Sequence, residues 1–268
     1  MAATADLQSP GLQVLTDRPG AVAVFLRPPP RKCWQDGLER AVESGAFYLP
    51  RADLAGLSLD GMATWLDRNL PKAAITPGTR DALISDLLSL AHVIEELTSA
   101  QRYRLRIFAA APDQRCGYHV DTVPIGSPVW GILKVYNGAG TDWVAPTGIR
   151  SMAAFYGWLQ LRDRIARMHA GDHATRDLKL KAMDERADFI VDGVAPRHVT
   201  AGTPVVFKHL PANRFWSDHA RDSAWLHASP MRGKPRLVAN ISPHQPASAI
   251  DGNSIPTVHL RSMPDRSG

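Results

Sequence analysis

Hydrophobic and polar positions along the chain follow two rhythms, which predict helices at the front, strands in the middle, and a return of each. Residues 20–26 (GAVAVFL) are rich in β-formers and read as a strand, and Pro28-Pro29-Pro30 then enforces an extended connector. Residues 34–44 and 60–70 suit amphipathic helices. A longer helix follows: Thr76 suits the N-cap and Pro77 the first turn, and Leu83, Leu87, Leu90, Ile94 and Leu97 recur at helical spacing. After Gln101 the period drops to two in Tyr103-Arg104-Leu105-Arg106-Ile107, a strand signal. Further strands are predicted over 118–121, 129–136 and 141–144, with Gly138-Ala139-Gly140 as the turn between the last two. Helical spacing returns over 152–168 and 175–189, and β character around Val199 and over 204–207, 224–228 and 237–241.

These rhythms predict one domain over 19–243. A mainly helical wrap (19–100) precedes a β core (101–150 and 191–243), which a helical insertion (151–190) interrupts. A loose arm at 1–18 and a flexible tail at 244–268 complete the expectation.

Composition narrows this only a little. Of 268 residues, 44% are apolar and 21% charged, as expected of a folded globular chain. Lys and Arg number 31 against 26 Asp and Glu, a surplus of +5 that suits an anionic small substrate and does not announce nucleic acid. The two cysteines, Cys33 and Cys116, give neither a disulfide framework nor a Cys-rich zinc module. The N-terminus lacks a secretory pattern, and no apolar run reaches the roughly 18 residues of a membrane span. The expectation is a soluble, cytoplasmic protein.

Candidate chemistry centres on His119-Val120-Asp121. In a strand, residues i and i+2 share a face, so an imidazole and a carboxylate would project side by side. A histidine from a distant strand would complete a two-histidine, one-carboxylate facial triad, a set that suits Fe(II) and leaves coordination positions open. Alone, His-x-Asp is a short pattern that recurs by chance and equally describes a surface pair. His227 supplies a candidate third ligand. The turn-rich 229–235 segment after it leads to Arg236 and the apolar run 237–241. A hairpin would set Arg236 beside His227, where its guanidinium could hold a dicarboxylate bidentately. A buried core histidine and a surface ion pair are the plainer alternatives.

The order His-x-Asp, a long gap, then His with Arg nine residues on resembles the Fe(II)- and 2-oxoglutarate-dependent oxygenases. More particularly, residues 116–124 (CGYHVDTVP), 136–143 (YNGAGTDW) and His227-Ala228-Ser229-Pro230 with Arg236 resemble a bacterial family catalogued as domain of unknown function 1826. The resemblance spans about 101–243 and covers the insertion poorly. It implies a double-stranded β-helix (cupin-like jelly roll) with N-terminal helices and a helical insertion. It also implies His119, Asp121 and His227 as iron ligands, Arg236 as the 2-oxoglutarate anchor, and Tyr136 as a second donor to that carboxylate. With 2-oxoglutarate and O2 as cosubstrates, the implied reaction is oxidation of a small, amino-acid-like or anionic substrate. Arg106 and Trp143 are candidate substrate contacts, although Arg104 and Arg106 suit salt bridges equally and Trp143 suits packing.

Several features compete. Cys116 precedes His119 by three residues, and Cys116, His119, Asp121 and His227 would make a closed zinc site, hence a non-catalytic protein of metal homeostasis. Residues an odd number apart on one strand face opposite sides, which weakens that set unless Gly117 bends the chain. His169 and His173 have helical metal-ligand spacing, but Gly171-Asp172 between them suggests an interhelical loop. His209 and His219 flank a loop (211–218) near the predicted site and could support the ligands or meet substrate, although exposed loop histidines are the plainer reading. Arg162, Arg164 and Arg167 with Asp163 read as a solvated helix face, the one place where nucleic-acid contact is conceivable. No G-x-S-x-G elbow or phosphate-binding loop occurs. The sequence sets neither the substrate nor the oligomeric state.

Overall fold

A computed structural model of the protein describes residues 20–112, 117–211, 219–230 and 232–244. The expected arm at 1–18, the tail beyond His244 and Cys116 lie outside the described residues. In chain order the strands are β1 (Ala23–Phe25), β2 (Leu49–Leu57), β3 (Tyr103–Ala110), β4 (Gly117–His119), β5 (Thr122–Val123) and β6 (Trp130–Val135). Then come β7 (Thr141–Trp143), β8 (Arg197–Val199), β9 (Val205–Lys208), β10 (Leu210–Pro211), β11 (His227–Ser229) and β12 (Arg236–Pro243). The helices are α1 (Cys33–Glu43), α2 (Leu59–Asn69), α3 (Pro77–Thr98), α4 (Met152–Met168) and α5 (His173–Glu185).

The strands form a large sheet ordered β1-β9-β6-β12-β3-β2 and a small one ordered β4-β11-β7-β8. From β3 onward the chain passes back and forth between the two, so β3-β12-β6-β9 faces β4-β11-β7-β8. That winding is a double-stranded β-helix, the cupin-like jelly roll. β5 and β10 pair in parallel at one margin, and β1 and β2 extend the large sheet at its edges.

Three apolar clusters follow from strand alternation. Leu105, Ile107, Ile132, Leu237, Ala239 and Ile241 face outward from the large sheet onto α1, α2 and α3. The heptad-like Leu83, Leu87, Leu90 and Ile94 form the matching stripe of α3. That helix starts as its sequence predicts, with Thr76 accepting from the Thr79 amide and Pro77 in the first turn. A second cluster packs Phe155, Tyr156 and Trp158 of α4 on Tyr118, Ala228 and Phe189, covering the small sheet. The third fills the space between the sheets with Leu133, Val135, Val205, Phe207, Trp225 and Val238.

The structure differs from the sequence reading in several places. β2 is a nine-residue strand inside the segment expected to be helical, and two register shifts against β3 explain why its period was hidden. Residues 224–226 do not continue the strand: pairing begins at His227, while the Trp225 amide donates to the Lys208 carbonyl. The expected hairpin between His227 and Arg236 is absent, because β11 belongs to the small sheet and β12 to the large one. His169 and His173 bracket a turn, His169 ending α4 and Asp172 capping α5 through the Thr175 amide. Arg162 turns inward, over the Trp158 ring and beside Asp184, while Arg167 pairs with Asp163 at the surface. No helix of the described residues is long and apolar enough to cross a membrane.

Candidate metal centre

β4 runs out at His119, and the chain turns so that Asp121 follows just beyond the strand's end, its carbonyl accepting from the Leu210 amide. The expected single strand over 118–121 is therefore broken, yet the break aims both side chains inward. His227 opens β11 directly opposite His119 in the antiparallel register. One ligand atom from each of His119, Asp121 and His227 lies within 4.8 Å of the others, and the two imidazole centroids stand 4.2 Å apart.

The ring nitrogens are assigned by their partners. Nδ1 of His119 lies 2.8 Å from the Gly117 carbonyl and Nδ1 of His227 lies 3.1 Å from that of Trp225. A carbonyl only accepts, so each Nδ1 carries a proton and Nε2 is the ring nitrogen left free for the centre. Burial, with His119 beside it, pushes the His227 pKa down to about 3, which keeps that imidazole neutral. Trp225 stacks on the same ring at 4.2 Å and 13°, and Phe207 meets it edge-on, so its plane is held from two sides.

Asp121 is gripped from the opposite sheet. Asn240 of β12 donates through Nδ2 to Oδ2 at 2.7 Å, and Arg106 of β3 donates through Nη1 to Oδ1 at 2.9 Å. Burial alone would raise this carboxyl, but the Arg106 guanidinium and the surrounding histidines outweigh it and hold the group well below the usual carboxylate range. Behind Arg106 sits His209, fully buried rather than exposed on a loop. Its Nδ1 lies 3.1 Å from the Val129 carbonyl and its Nε2 lies 3.4 Å from Nη2 of Arg106. Burial lowers its pKa to about 4, so the ring is neutral and faces Arg106 with a lone pair. Gly131 makes room for it: a Cβ there would lie 2.1 Å from the His209 ring.

The seven candidate residues separate clearly. His119, Asp121 and His227 converge. Arg236, fully buried, shares the inward face of β12 with Val238 and Asn240, and its Nη1 donates to the carbonyls of Ala139 and Gly140 at 2.8 Å each. It faces the site across the barrel rather than along a hairpin. Trp143 also faces the interior, in register with His227. Arg106 is drawn onto Asp121 instead of towards a substrate.

Tyr136 points the other way. It continues the outward face of Ile132 and Lys134, and its hydroxyl donates to Asp86 of α3 at 2.6 Å. Lys134 donates to both oxygens of the same carboxylate at 2.8 Å. Burial, with Asp86 beside it, holds the phenol well above its ordinary pKa, so Tyr136 is a protonated strut between sheet and helix. Thr141 replaces it as an inward hydroxyl beside the Arg236 carbonyl partners. It is buried, its Oγ1 has no hydrogen-bond partner, and Trp225 Nε1 in the same interior is likewise unpaired.

The donor set therefore fits a divalent metal of the iron type, with two imidazoles and one carboxylate among the described residues, which do not include Cys116. The interior also fits a dicarboxylate cosubstrate, since Arg236 and two orphaned donors line it. Asn240 and Thr141 were missed from sequence, where a polar Asn inside the apolar run 237–241 was the one available signal; for His209 the plainer reading, an exposed loop histidine, gives way to a buried one behind Arg106.

Solved structures with similar chain courses include AtDAO1, the dioxygenase for auxin oxidation 1 from Arabidopsis thaliana, in complex with 2-oxoglutarate. That match has 10% identity, covers 92% of this chain and 93% of that one, and has a TM-score of 0.45. AviO1 from Streptomyces viridochromogenes Tue57 is 15% identical, with 92% and 98% covered and a TM-score of 0.39. An N-substituted L-amino acid dioxygenase from Burkholderia ambifaria AMMD, in complex with alpha-KG, is 14% identical, with 87% of each chain covered and a TM-score of 0.36. Among curated proteins none matches. The family described as Protein of unknown function (DUF1826) matches residues 11–238, and the chain belongs to that family.

Proposed function

We propose that the protein is a non-haem Fe(II)- and 2-oxoglutarate-dependent oxygenase that oxidises a C–H bond of a small, amino-acid-like or otherwise anionic substrate. The observation that carries this reading is the convergence of one ring nitrogen from each of two histidines and one carboxylate oxygen within 4.8 Å, inside a barrel whose facing sheet contributes a buried arginine. His119, Asp121 and His227 would hold the iron. When bound, iron with 2-oxoglutarate and O2 supplies an oxidant for C–H bonds, with succinate and CO2 as coproducts.

The chain's own residues do the rest. Arg236 and the Thr141 hydroxyl would receive the far carboxylate of 2-oxoglutarate by charge-assisted hydrogen bonds. Asn240 and Arg106 keep Asp121 ionised and oriented, and Trp225 with Phe207 keeps His227 in plane and water away. The anaerobic protein mixed with Fe(II) and 2-oxoglutarate should develop a visible metal-to-ligand charge-transfer band, and its absence would sink the reading. Elemental analysis separates this reading from a zinc-binding one: zinc lost with Cys116→Ser favours zinc, whereas iron lost with Asp121→Ala alone favours the oxygenase.

A further inference from the structure

The metal row does not end at His227. In the small sheet His119 is in register with His227, His227 with Trp143, and Trp143 with Arg197. Paired residues of antiparallel strands project on the same side, so the four side chains form one line, with neighbouring strands about 5 Å apart. At the far end of that line an open cavity of about 740 Å³ adjoins Trp143. Its walls are the start of β1, the segment after Trp143, and residues 220–222 ahead of β11.

The lining is chemically uneven. Val22, Trp143 and Pro146 supply an apolar floor, while Arg197 and Arg221 bring two guanidiniums and Asp222 one carboxylate. The Arg197 guanidinium stands 5.2 Å over the Trp143 ring, and Nη1 of Arg221 is tied to the Ile149 carbonyl at 2.6 Å. Neither arginine forms an ion pair with a carboxylate of the described residues, in contrast to Arg104, Arg106 and Arg150. Two exposed cations over an apolar floor form a seat for an anion with an apolar body.

We propose that this cavity is the binding site for the oxidisable substrate, and that the substrate is a small organic carboxylate with an apolar or aromatic body. The proposal rests on the oxygenase reading above. Arg197 would hold the carboxylate and Trp143 the body, which then extends towards His227. Two strand spacings, about 10 Å, separate His227 from Arg197, so the reacting carbon lies several bonds from the carboxylate. A body of phenylpropionate or N-acyl amino acid size meets that requirement.

The test is binding to the metal-free full-length protein, read by indole fluorescence and saturation-transfer NMR. The probes are 3-phenylpropionate, hexanoate and N-acetyl-leucine, with 3-phenylpropionamide as the uncharged counterpart. At least one carboxylate should saturate the protein, the amide should bind about tenfold more weakly or worse, and Arg197→Gln or Arg221→Gln should weaken the carboxylate by about tenfold. Equal binding of acid and amide would overturn the proposal, as would undiminished binding in both variants. So would no saturation by any carboxylate up to about 10 mM, which corresponds to under about 3 kcal/mol of affinity. Displacement of the probe by metal-free 2-oxoglutarate at comparable concentration would make the cavity the cosubstrate's seat and also overturn it. The Fe(II)/2-oxoglutarate band is recorded separately in each protein. It should survive both substitutions, and its absence from the wild type would refute the oxygenase reading while leaving the carboxylate result intact.

Discussion

Asn240 donates to Oδ2 of Asp121 at 2.7 Å, although the two residues are 119 positions apart and belong to opposite sides of the barrel. The amide thereby fixes a carboxylate that the small sheet's own strands leave just beyond their end. Asn240→Leu keeps the volume and removes the donor. Affinity for Fe(II), or for Co(II) as a spectroscopic stand-in, should fall about ten- to a hundredfold while the far-UV circular dichroism stays unchanged. Isothermal titration of the metal-free protein reads this directly, and an unchanged affinity would assign Asn240 a packing role only.

Thr141 and Tyr136 make opposite predictions for 2-oxoglutarate. Thr141→Val is nearly isosteric and should weaken 2-oxoglutarate by about ten- to a hundredfold without changing metal affinity, the loss of one hydrogen bond to a charged group. Tyr136→Phe should leave 2-oxoglutarate affinity unchanged, because its hydroxyl is spent on Asp86. A reversed pattern in equilibrium binding would place the second carboxylate donor on the wrong strand.

The Lys134–Asp86–Tyr136 cluster is a stability element instead. Asp86→Ala leaves the Lys134 ammonium buried and uncompensated, so urea unfolding should show a loss of about 3–5 kcal/mol. Tyr136→Phe deletes one donor and should cost about 1–2 kcal/mol. Equal costs for the two would mean that the Lys134 charge escapes to solvent.

Gly131→Ala would drive a methyl into the His209 ring, since the added Cβ would lie 2.1 Å from it. The imidazole must leave its place behind Arg106, at a cost of about 1–3 kcal/mol in stability. Metal affinity should fall with it, and the double variant Gly131→Ala/His209→Ala should recover stability but not affinity.

The candidate ligands that converge were legible in the sequence because they travel in short strings: His119-Val120-Asp121 is local, and His227 precedes Arg236 by nine residues. Their support was not, because Asn240 and Arg106 reach Asp121 from the facing sheet, and Thr141 gains its neighbours only when β7 packs beneath β12. A turn-rich segment such as 229–235 looks the same whether it closes a hairpin or carries the chain to the facing sheet, so local chemistry could not decide between them. Tyr136 was misplaced for a simpler reason. Period-two alternation puts it on the face of Ile132 and Lys134, and Ile132 belongs to the helix-side core. His209 needed Gly131 beside it to be recognised as buried, a contact between residues 78 positions apart.

The small sheet is built from strands of three residues each. Ribbons so short do not persist alone in water, so the histidine pair exists only while the large sheet lies against it. Metal affinity is then a gauge of how firmly the two halves close. Enlarging or emptying the filling between them, at Val135, Val205 or Val238, should present as a metal-binding defect in residues that never touch the ion. Conversely, an ion held by His119, Asp121 and His227 binds only the closed form in which β4 and β11 are paired, so saturating metal should raise the unfolding temperature.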